Sequence, residues 1–165
     1  MAPPPTVYIV TSDQARNGKT LLARCITDYL LLDGRDPFLI DTDTPEGSLR
    51  NYFPGRTQLV NFAKVMGQIK IFDTILASPG RDYVIDLSSK DAQSFFGEVQ
   101  ELGFFAEAQK LGFRFILLVI VDDSELSSRF ARDLRRTAKV DLFVPVKNAF
   151  IGSTWPNDDA ALTMP

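Results

Sequence analysis

A tripeptide able to bind phosphate, Gly18-Lys19-Thr20, lies between an apolar run and a helical pattern in the segment VYIVTSDQARNGKTLLA, residues 7–23. In a phosphate-binding loop, backbone N–H groups and the start of the next helix bind phosphate oxygens. The lysine pairs with the β- and γ-phosphates, and the threonine hydroxyl joins the Mg²⁺ shell. A helix start with a solvated lysine is the alternative, but the position between strand and helix favours a nucleotide site. The residues expected to contact the nucleotide are Asp13, Gln14, Ala15, Arg16, Asn17, Gly18, Lys19 and Thr20.

Carboxylates end two other apolar runs. Asp41 and Asp43 follow Pro37–Ile40, and Asp86 follows Tyr83–Ile85. Mg²⁺ prefers a few hard oxygen ligands together with water and phosphate, so an acid near Thr20 suits a metal bound with a nucleotide. Each acid alone could be a solvated strand end. The recurrence of such polar positions at successive strand ends predicts one shared site.

A carboxamide, that of Asn148, follows the apolar run Val140–Val146. The amide of asparagine both donates and accepts hydrogen bonds, so it can contact the edge of a purine base. An Asx turn, in which the side chain bonds the local backbone, is an equally good interpretation.

The elements that would position these residues alternate between strand and helix. Each strand is a continuous apolar run, which is typical of a parallel sheet covered on both faces. We therefore predict an α/β fold, a three-layer sandwich with a mainly parallel central sheet, whose ligand lies at the carboxyl ends of the strands. The expected strands are Val7–Val10, Pro37–Ile40, Asp82–Leu87, Phe113–Val121 and Val140–Val146. The expected helices are one from Lys19 to a stop at Gly34, Leu59–Ala77 with a break near Gly67, Asp91–Leu111 interrupted near Gly103, and Ser124–Ala138.

Three further segments are expected to lack regular structure. Thr44–Thr57 contains two prolines and two glycines and is predicted to be an irregular loop. Residues 1–5 are an extended lead-in, and residues 152–165 an irregular tail. The whole chain, 1–165, is predicted to be one domain.

Composition excludes several kinds of chemistry. The sequence has no histidine, which rules out a Ser-His triad, a histidine metal site and imidazole acid–base catalysis. The single cysteine, Cys25, rules out an internal disulfide. The net charge of −3 gives no support for a nucleic-acid footprint over the whole molecule. No signal peptide is evident, and we expect a cytoplasmic protein.

The motifs taken in order resemble the ParA/MinD family of deviant-Walker ATPases, within the wider group of P-loop proteins that includes dethiobiotin synthetase. The segments that carry the resemblance are VYIVTSDQARNGKTLLA, FLIDTDTPEGSL, RDYVIDLSS and VPVKN. The resemblance implies that Thr20 binds Mg²⁺, that Asp43 and Asp86 help to position the metal, and that Asp41 orients or activates the attacking water. It also implies that Asn148 contacts adenine and that two copies dimerise around ATP.

The loop departs from the pattern K-G-G-x-G-K-[ST] of that family. Gln14 stands where the family has a signature lysine that reaches the phosphates of the partner subunit, and Ala15 and Arg16 replace two glycines. Glycine reaches positive φ without strain, whereas alanine and arginine do not. We hypothesise that Arg16 partly replaces the missing lysine charge; a solvated loop arginine is the alternative.

The remaining predictions concern an arginine-bearing helix face, several apolar residues and the C-terminal tail. Arg129, Arg132 and Arg136 share a helix face that could bind DNA non-specifically, although a solvated helix face is the simpler interpretation. Two phenylalanine doublets, at 95–96 and 104–105, are predicted to be core, as is Cys25. Leu126, Phe130 and Leu134 are expected to point inward from the helix Ser124–Ala138. The tail has no amphipathic stretch, so we expect no membrane binding.

The function predicted from these residues is ParA/MinD-like binding of ATP or ADP with Mg²⁺, with slow, partner-stimulated hydrolysis at most. The biological role would be partitioning of plasmids or chromosomes, or positioning of cargo. Two alternatives remain open. One is a non-hydrolysing regulatory or assembly protein with a degenerate loop, and the other is a metabolic enzyme that transfers phosphate, as dethiobiotin synthetase does.

Overall fold

The structure, a computed structural model, describes residues 3–152 and 161–164. Its strands are β1 (Thr6–Thr11), β2 (Phe38–Asp41), β3 (Thr57–Leu59), β4 (Tyr83–Asp86), β5 (Arg114–Val121), β6 (Leu142–Asn148) and β7 (Leu162–Met164). Its helices are α1 (Lys19–Leu32), α2 (Ser48–Tyr52), α3 (Val65–Ala77), α4 (Ser89–Glu101), α5 (Phe104–Lys110) and α6 (Glu125–Thr137).

The strands form one parallel sheet in the order β3-β2-β4-β1-β5-β6-β7. The central strands are buried on both faces, which is why their sequences are continuous apolar runs. The register pairs Asp41 with Asp86 and Val10 with Asp86, so the carboxyl ends of β2, β4 and β1 lie side by side. The predicted α/β class and parallel sheet are confirmed.

Two hydrophobic clusters hold the layers together. One lies on the face of the sheet covered by α3, α4, α5 and α6, and contains both phenylalanine doublets; Phe95, Phe104 and Phe105 are buried and Phe96 packs against them. The other lies on the opposite face, where Leu22, Ala23 and Leu30 of α1 pack against the sheet. The prediction that the doublets are core is therefore confirmed.

Three segment predictions are wrong. The region 59–77 is not a broken helix: β3 ends at Leu59, α3 starts only at Val65, and Gly67 lies inside that helix. The expected irregular loop 44–57 contains α2, and the expected irregular tail contains β7, while residues 153–160 and 165 of that tail lie outside the described residues. These strands and α2 are three to five residues long, too short for a hydrophobic period to be recognised.

Two predicted core residues are exposed. Cys25 lies with Leu21 and Tyr29 on an exposed stripe of α1, because a second apolar stripe on that helix, with Leu22 and Leu30, faces the sheet. Leu126, expected to point inward from α6, is 67% exposed, while Leu134 of the same helix is buried. Among the described residues, no helix is long and apolar enough to cross a membrane.

Candidate phosphate-binding site

The loop between β1 and α1 has the backbone of a tight turn into a helix. Arg16 has φ of +63° and Gly18 has φ of +103°. The φ of Gly18 is one that residues with a side chain rarely adopt. A Cβ there would also lie 2.7 Å from Cε of Met164 and 3.0 Å from Nδ2 of Asn148, so the Met164 side chain would have to shift. Arg16 takes up a left-handed conformation at one of the two positions where the deviant-Walker pattern has glycine.

Three hydrogen bonds inside the loop hold this backbone in place. The hydroxyl of Ser12 donates to the carbonyl oxygen of Gln14 at 2.6 Å, and Nζ of Lys19 donates to the same oxygen at 2.8 Å. The Nδ2 group of Asn148 donates to the carbonyl oxygen of Asn17 at 3.0 Å. The protein's own side chains therefore brace the loop at both of these carbonyl groups.

The structure brings Thr20 and Asp86 together. The Thr20 hydroxyl donates to Oδ2 of Asp86 at 2.6 Å, although the two residues are 66 positions apart. Burial raises the pKa of Asp86 to about 6, against the opposing effects of the Thr20 hydrogen bond and of Lys19; the neighbouring carboxylate of Asp41 adds to the rise. Thr20 and Asp86 thus form the hydroxyl–carboxylate pair that the sequence predicted.

Lys19 lies among carboxylates. Burial lowers its pKa, while the carboxylates of Asp86, Asp43 and Asp13 act in the opposite direction. An ammonium group so placed is available to phosphate oxygens once it leaves the Gln14 carbonyl.

Asp41 and Asp43 differ in environment although both follow β2. The carboxylate of Asp41 is fully buried and accepts hydrogen bonds from the backbone N–H groups of Asp43 and Leu49, both at 2.9 Å. Burial raises the pKa of Asp41. The side chain of Asp43 is 46% exposed and lies 3.9 Å from Nζ of Lys90. Asp41 therefore fixes the segment that leads into α2, while Asp43 faces the open side.

Solved structures with low sequence identity share this architecture. Chloroplast FtsY from Physcomitrella patens aligns at a TM-score of 0.58 and 11% identity, over 93% of this chain and 52% of that one. A plasmid partition protein from Borrelia burgdorferi gives 0.56 and 13%, over 98% and 89%. The MinC:MinD cell division complex of Aquifex aeolicus gives 0.52 and 14%, over 87% and 68%.

The chain has the fold of a P-loop NTPase. No family model and no curated protein matches its sequence, and it spans about half of the FtsY chain. At these identities the likeness concerns the fold alone. Within that fold, residues 13–20 occupy the position of the P-loop, between the central strand β1 and helix α1.

The P-loop residues fit a phosphate group together with a divalent cation. The hydroxyl of Thr20 and the carboxylate of Asp86 are hard oxygen donors at one point, and Gly18 keeps the backbone free of a side chain. Among the described residues, no three acidic or cysteine side chains cluster to hold a metal alone. A cation here would therefore depend on phosphate oxygens and water for its remaining ligands.

In the first half of the P-loop, the side chain of Gln14 is held by another part of the protein. The Nε2 group of Gln14 donates to Oδ2 of Asp122 at 3.1 Å, which directs this side chain toward the end of β5. Asp122 is a site residue that the sequence reasoning missed. It ends the apolar run 115–121 just as Asp86 ends β4, and that pattern could have identified it.

Several buried polar atoms of the P-loop have no hydrogen-bond partner within the described residues. They are both carboxylate oxygens of Asp13 and both polar atoms of the Asn17 carboxamide. Leaving such groups unpaired costs free energy, of the order of 1–3 kcal/mol each. They are consequently the positions in this loop where a ligand, a water or a partner has most to gain.

The roles expected for Asn148 and the α6 arginines stay predictions. The Asn148 amide is engaged internally, since it also accepts from the backbone N–H of Phe150 at 3.0 Å. Arg129, Arg132 and Arg136 are exposed on α6, and Arg136 pairs with Asp133 at 3.2 Å. The face of α6 that presents these arginines therefore also presents the carboxylate of Asp133.

Proposed function

We propose that this protein binds ATP or ADP together with Mg²⁺ at residues 13–20. The observation that carries the proposal is the contact between Thr20 and Asp86. It joins the Gly-Lys-Thr tripeptide to the acid that ends β4, at the carboxyl edge of the sheet. A helix start with a solvated lysine has no need of that acid.

Each residue has a distinct part in this proposal. Lys19 exchanges the Gln14 carbonyl for phosphate oxygens, and the N–H groups at the start of α1 point to the same place. Thr20 and Asp86, with Asp43 on the open side, hold the cation. Mg²⁺ bound with the nucleotide supplies charge neutralisation on the β- and γ-phosphates.

Hydrolysis, within this proposal, is slow. Asp41 would orient the attacking water only after releasing the backbone N–H groups of Asp43 or Leu49. Gln14 carries no charge and is held by Asp122, so it does not supply what a lysine at this position supplies in the related family. A protein partner that moves residues 43–49 would stimulate turnover.

The proposed biological role is partitioning or positioning of DNA or other cargo in the cytoplasm. The sequence resemblance to ParA/MinD proteins supports it, and the fold shared with a plasmid partition protein and with MinD is consistent with it. An ATP-dependent homodimer and non-specific DNA contacts through Arg129, Arg132 and Arg136 belong to the same proposal.

Thermal denaturation with and without Mg-ATP tests nucleotide binding. We expect Mg-ATP at saturating concentration to raise the melting temperature of the wild type, and Lys19→Ala to lose that rise. Lys70→Ala, an exposed lysine on α3, is the control and should keep it. An equal rise in wild type and Lys19→Ala would show that ATP binds elsewhere and would end the proposal.

A non-hydrolysing regulatory protein is the second candidate. The observation in its favour is the loop itself, in which Gln14 and Lys19 are both engaged by protein groups. Steady release of inorganic phosphate by the purified chain, lost in Lys19→Ala, would exclude this candidate. Nucleotide binding without release would favour it.

A further inference from the structure

The first turn of α4 holds the residues that follow β2. The backbone N–H of Ser88 donates to the Thr42 hydroxyl at 2.8 Å, and Nζ of Lys90 donates to the carbonyl oxygen of Thr44 at 3.0 Å. Asp43, which the proposed function places beside the cation, lies between these two threonines in the chain. The place of its backbone therefore depends on contacts that its neighbours make with α4.

The Thr42 hydroxyl is part of the cap of α4. In a capping box, the side chain of residue N3 accepts a hydrogen bond from the backbone N–H of the N-cap residue. Ser88 is the N-cap of α4 and Asp91 is its third residue, but the Ser88 N–H bonds Thr42 instead. Burial raises the pKa of Asp91, and a hydrogen bond from the Thr42 side chain opposes that rise. The hydroxyl thus accepts from one member of the cap and donates to the other.

Burial makes this hydroxyl hard to replace. The Thr42 side chain is fully buried, and Ser88 and Asp91 are 7% and 6% exposed. An N–H group buried in this way has no water to bond when its acceptor is removed. The backbone of Thr42 is held as well: its N–H donates to the carbonyl oxygen of Asp86 at 3.1 Å, and its carbonyl oxygen accepts from Thr44 at 2.8 Å. Thr42 therefore links the carboxyl ends of β2 and β4.

Asp43 is the residue through which this cap acts on the phosphate site. Its carboxylate acts electrostatically on Lys19 of the P-loop and on Asp86. Its backbone N–H donates to the carboxylate of Asp41 at 2.9 Å. The side chain is half-exposed, so packing does not hold it. Where the Asp43 carboxylate lies is thus set by the backbone of residues 42–44.

We propose that Thr42 is a positioning residue, whose hydroxyl fixes residues 42–44 so that the Asp43 carboxylate faces the cation of the phosphate site. This inference rests on the proposed function. Thr42 touches neither nucleotide nor cation, and its effect passes through Asp43. Loss of the hydroxyl should therefore weaken what Mg²⁺ adds to nucleotide affinity. Affinity without metal depends on Lys19 and the N–H groups of α1 and should not change.

Calorimetric titration with ADP, in Mg²⁺ and in EDTA, measures the gain in affinity that the cation gives. The wild type should bind ADP about tenfold more tightly in Mg²⁺ than in EDTA. Thr42→Val has a similar shape without the hydroxyl, and should reduce this gain to about twofold while its affinity in EDTA stays the same. Thr42→Ser restores a hydroxyl and should recover most of the gain. Equal gains in the wild type and Thr42→Val would overturn the inference.

A second variant removes the same hydrogen bond from the donor side. Proline has no N–H, and the φ of −58° at Ser88 suits proline. Ser88→Pro should therefore also reduce the gain to about twofold. If Thr42→Val does not fold, Ser88→Pro decides the question in its place, and a gain equal to that of the wild type would overturn the inference.

A matched control separates positioning from a loss of stability. The Thr27 hydroxyl is also fully buried and donates to the carbonyl oxygen of Ala23 at 2.8 Å, inside α1. Thr27→Val should lower stability, as Thr42→Val does, but keep the whole gain from Mg²⁺. A gain reduced equally in both variants would attribute the effect to stability and would overturn the inference.

A double-mutant cycle tests whether Thr42 acts through Asp43. Asp43→Asn alone should reduce the gain from Mg²⁺. Addition of Thr42→Val to Asp43→Asn should then reduce it no further, because the two residues act as one unit. A further loss in the double variant would show that Thr42 acts on another group, and the inference would fail.

Amide hydrogen exchange of the nucleotide-free chain tests the positioning by itself. The N–H groups of Asp43 and Thr44 should exchange at least about tenfold faster in Thr42→Val than in the wild type, and at the wild-type rate in Thr27→Val. Unchanged exchange in Thr42→Val would overturn the inference even if the chain binds ADP. If the wild type binds no ADP, the proposed function fails, and the exchange rates still decide whether Thr42 fixes residues 42–44.

Discussion

Arg16 is the one described residue other than glycine that has a positive φ. A residue with a Cβ pays about 1–2 kcal/mol for this conformation, so the arginine side chain is kept at a cost in stability. The cost is consistent with a functional charge at this position.

Two substitutions separate the backbone of Arg16 from its charge. Arg16→Gly should raise the free energy of unfolding by up to about 1 kcal/mol, because the relief of strain exceeds the entropic cost of glycine. Arg16→Ala keeps the strain and should change stability little, while both variants weaken Mg-ATP binding. Urea denaturation and nucleotide titration measure the two effects. Unchanged ATP affinity and unchanged hydrolysis in Arg16→Ala would remove the proposed charge role.

Asp86 should make stability depend on pH. Its pKa is raised from 3.8 to about 6 in the folded protein, so the folded state binds the proton more tightly than the unfolded chain does. Its contribution is fully present below about pH 4 and is lost as pH rises to about 6, which amounts to about 3 kcal/mol.

Urea denaturation in EDTA between about pH 4 and pH 7 measures this loss. Asp86→Asn keeps an acceptor for Thr20 but does not titrate, and should flatten the profile. Some slope should remain, since burial also raises the pKa of Asp41 and Asp91. An identical slope in wild type and Asp86→Asn would contradict the assignment.

For single residues, the sequence predicted which functional groups lie near the loop better than it predicted the hydrogen bonds that those groups make. It predicted that an acid lies near Thr20, which the contact with Asp86 confirms, because a strand-end acid and a loop hydroxyl are local patterns. It could not show that Asp41 accepts two backbone hydrogen bonds or that Gln14 bonds Asp122, since those partners depend on how the chain folds back.

Among the secondary-structure elements, α3 shows why glycine can be misleading in a helix. A Cβ on Gly67 would lie 2.0 Å from the carbonyl oxygen of Asn61, so the glycine allows the helix to start close against the preceding turn. The sequence pattern indicated a break at Gly67 because glycine lowers helix propensity, whereas the actual reason for glycine is the close approach of the backbone.

Gly67→Ala and Gly97→Ala form a matched pair. Gly67→Ala should lower the free energy of unfolding by at least about 2 kcal/mol, because backbone must move. Gly97 lies inside α4 with open space around it, so Gly97→Ala should raise stability by about 0.5–1 kcal/mol. Chemical denaturation of both variants provides the measurement. A gain in Gly67→Ala would show that α3 does not start as described.

The long elements were predictable and the short ones were not. The helices α1, α4 and α6, of thirteen or fourteen residues, and the eight-residue strand β5 carry enough periods to be recognised. The three residues of β7 carry none, and their pairing with β6 is set by long-range contact. β7 nonetheless matters for the site, since the side chain of Met164 lies where a Cβ on Gly18 would be.

For the molecule as a whole, charge limits what α6 can bind. The chain has a net charge of −3, so any affinity for DNA must come from a local surface. The three arginines of α6 are the candidates, and Asp133 lies among them.

Replacement of Arg129, Arg132 and Arg136 by alanine should weaken binding to a random-sequence duplex. Each DNA phosphate that an arginine no longer neutralises should reduce the steepness of log K against log salt by about 0.9. Titration of labelled DNA at several salt concentrations measures both the affinity and this salt dependence. The same affinity and salt dependence in wild type and triple variant would exclude α6 as a DNA surface.

The hydrogen bond from Lys19 to the Gln14 carbonyl means that the P-loop is ordered by the protein's own groups. When a phosphate binds, it replaces the Gln14 carbonyl oxygen as the acceptor for the Lys19 ammonium group. The loop does not have to become ordered in the same step. Phosphate then binds to a loop that is already ordered. The association rate constant is set by diffusion of the phosphate to the loop and by the electrostatic field of the surrounding carboxylates.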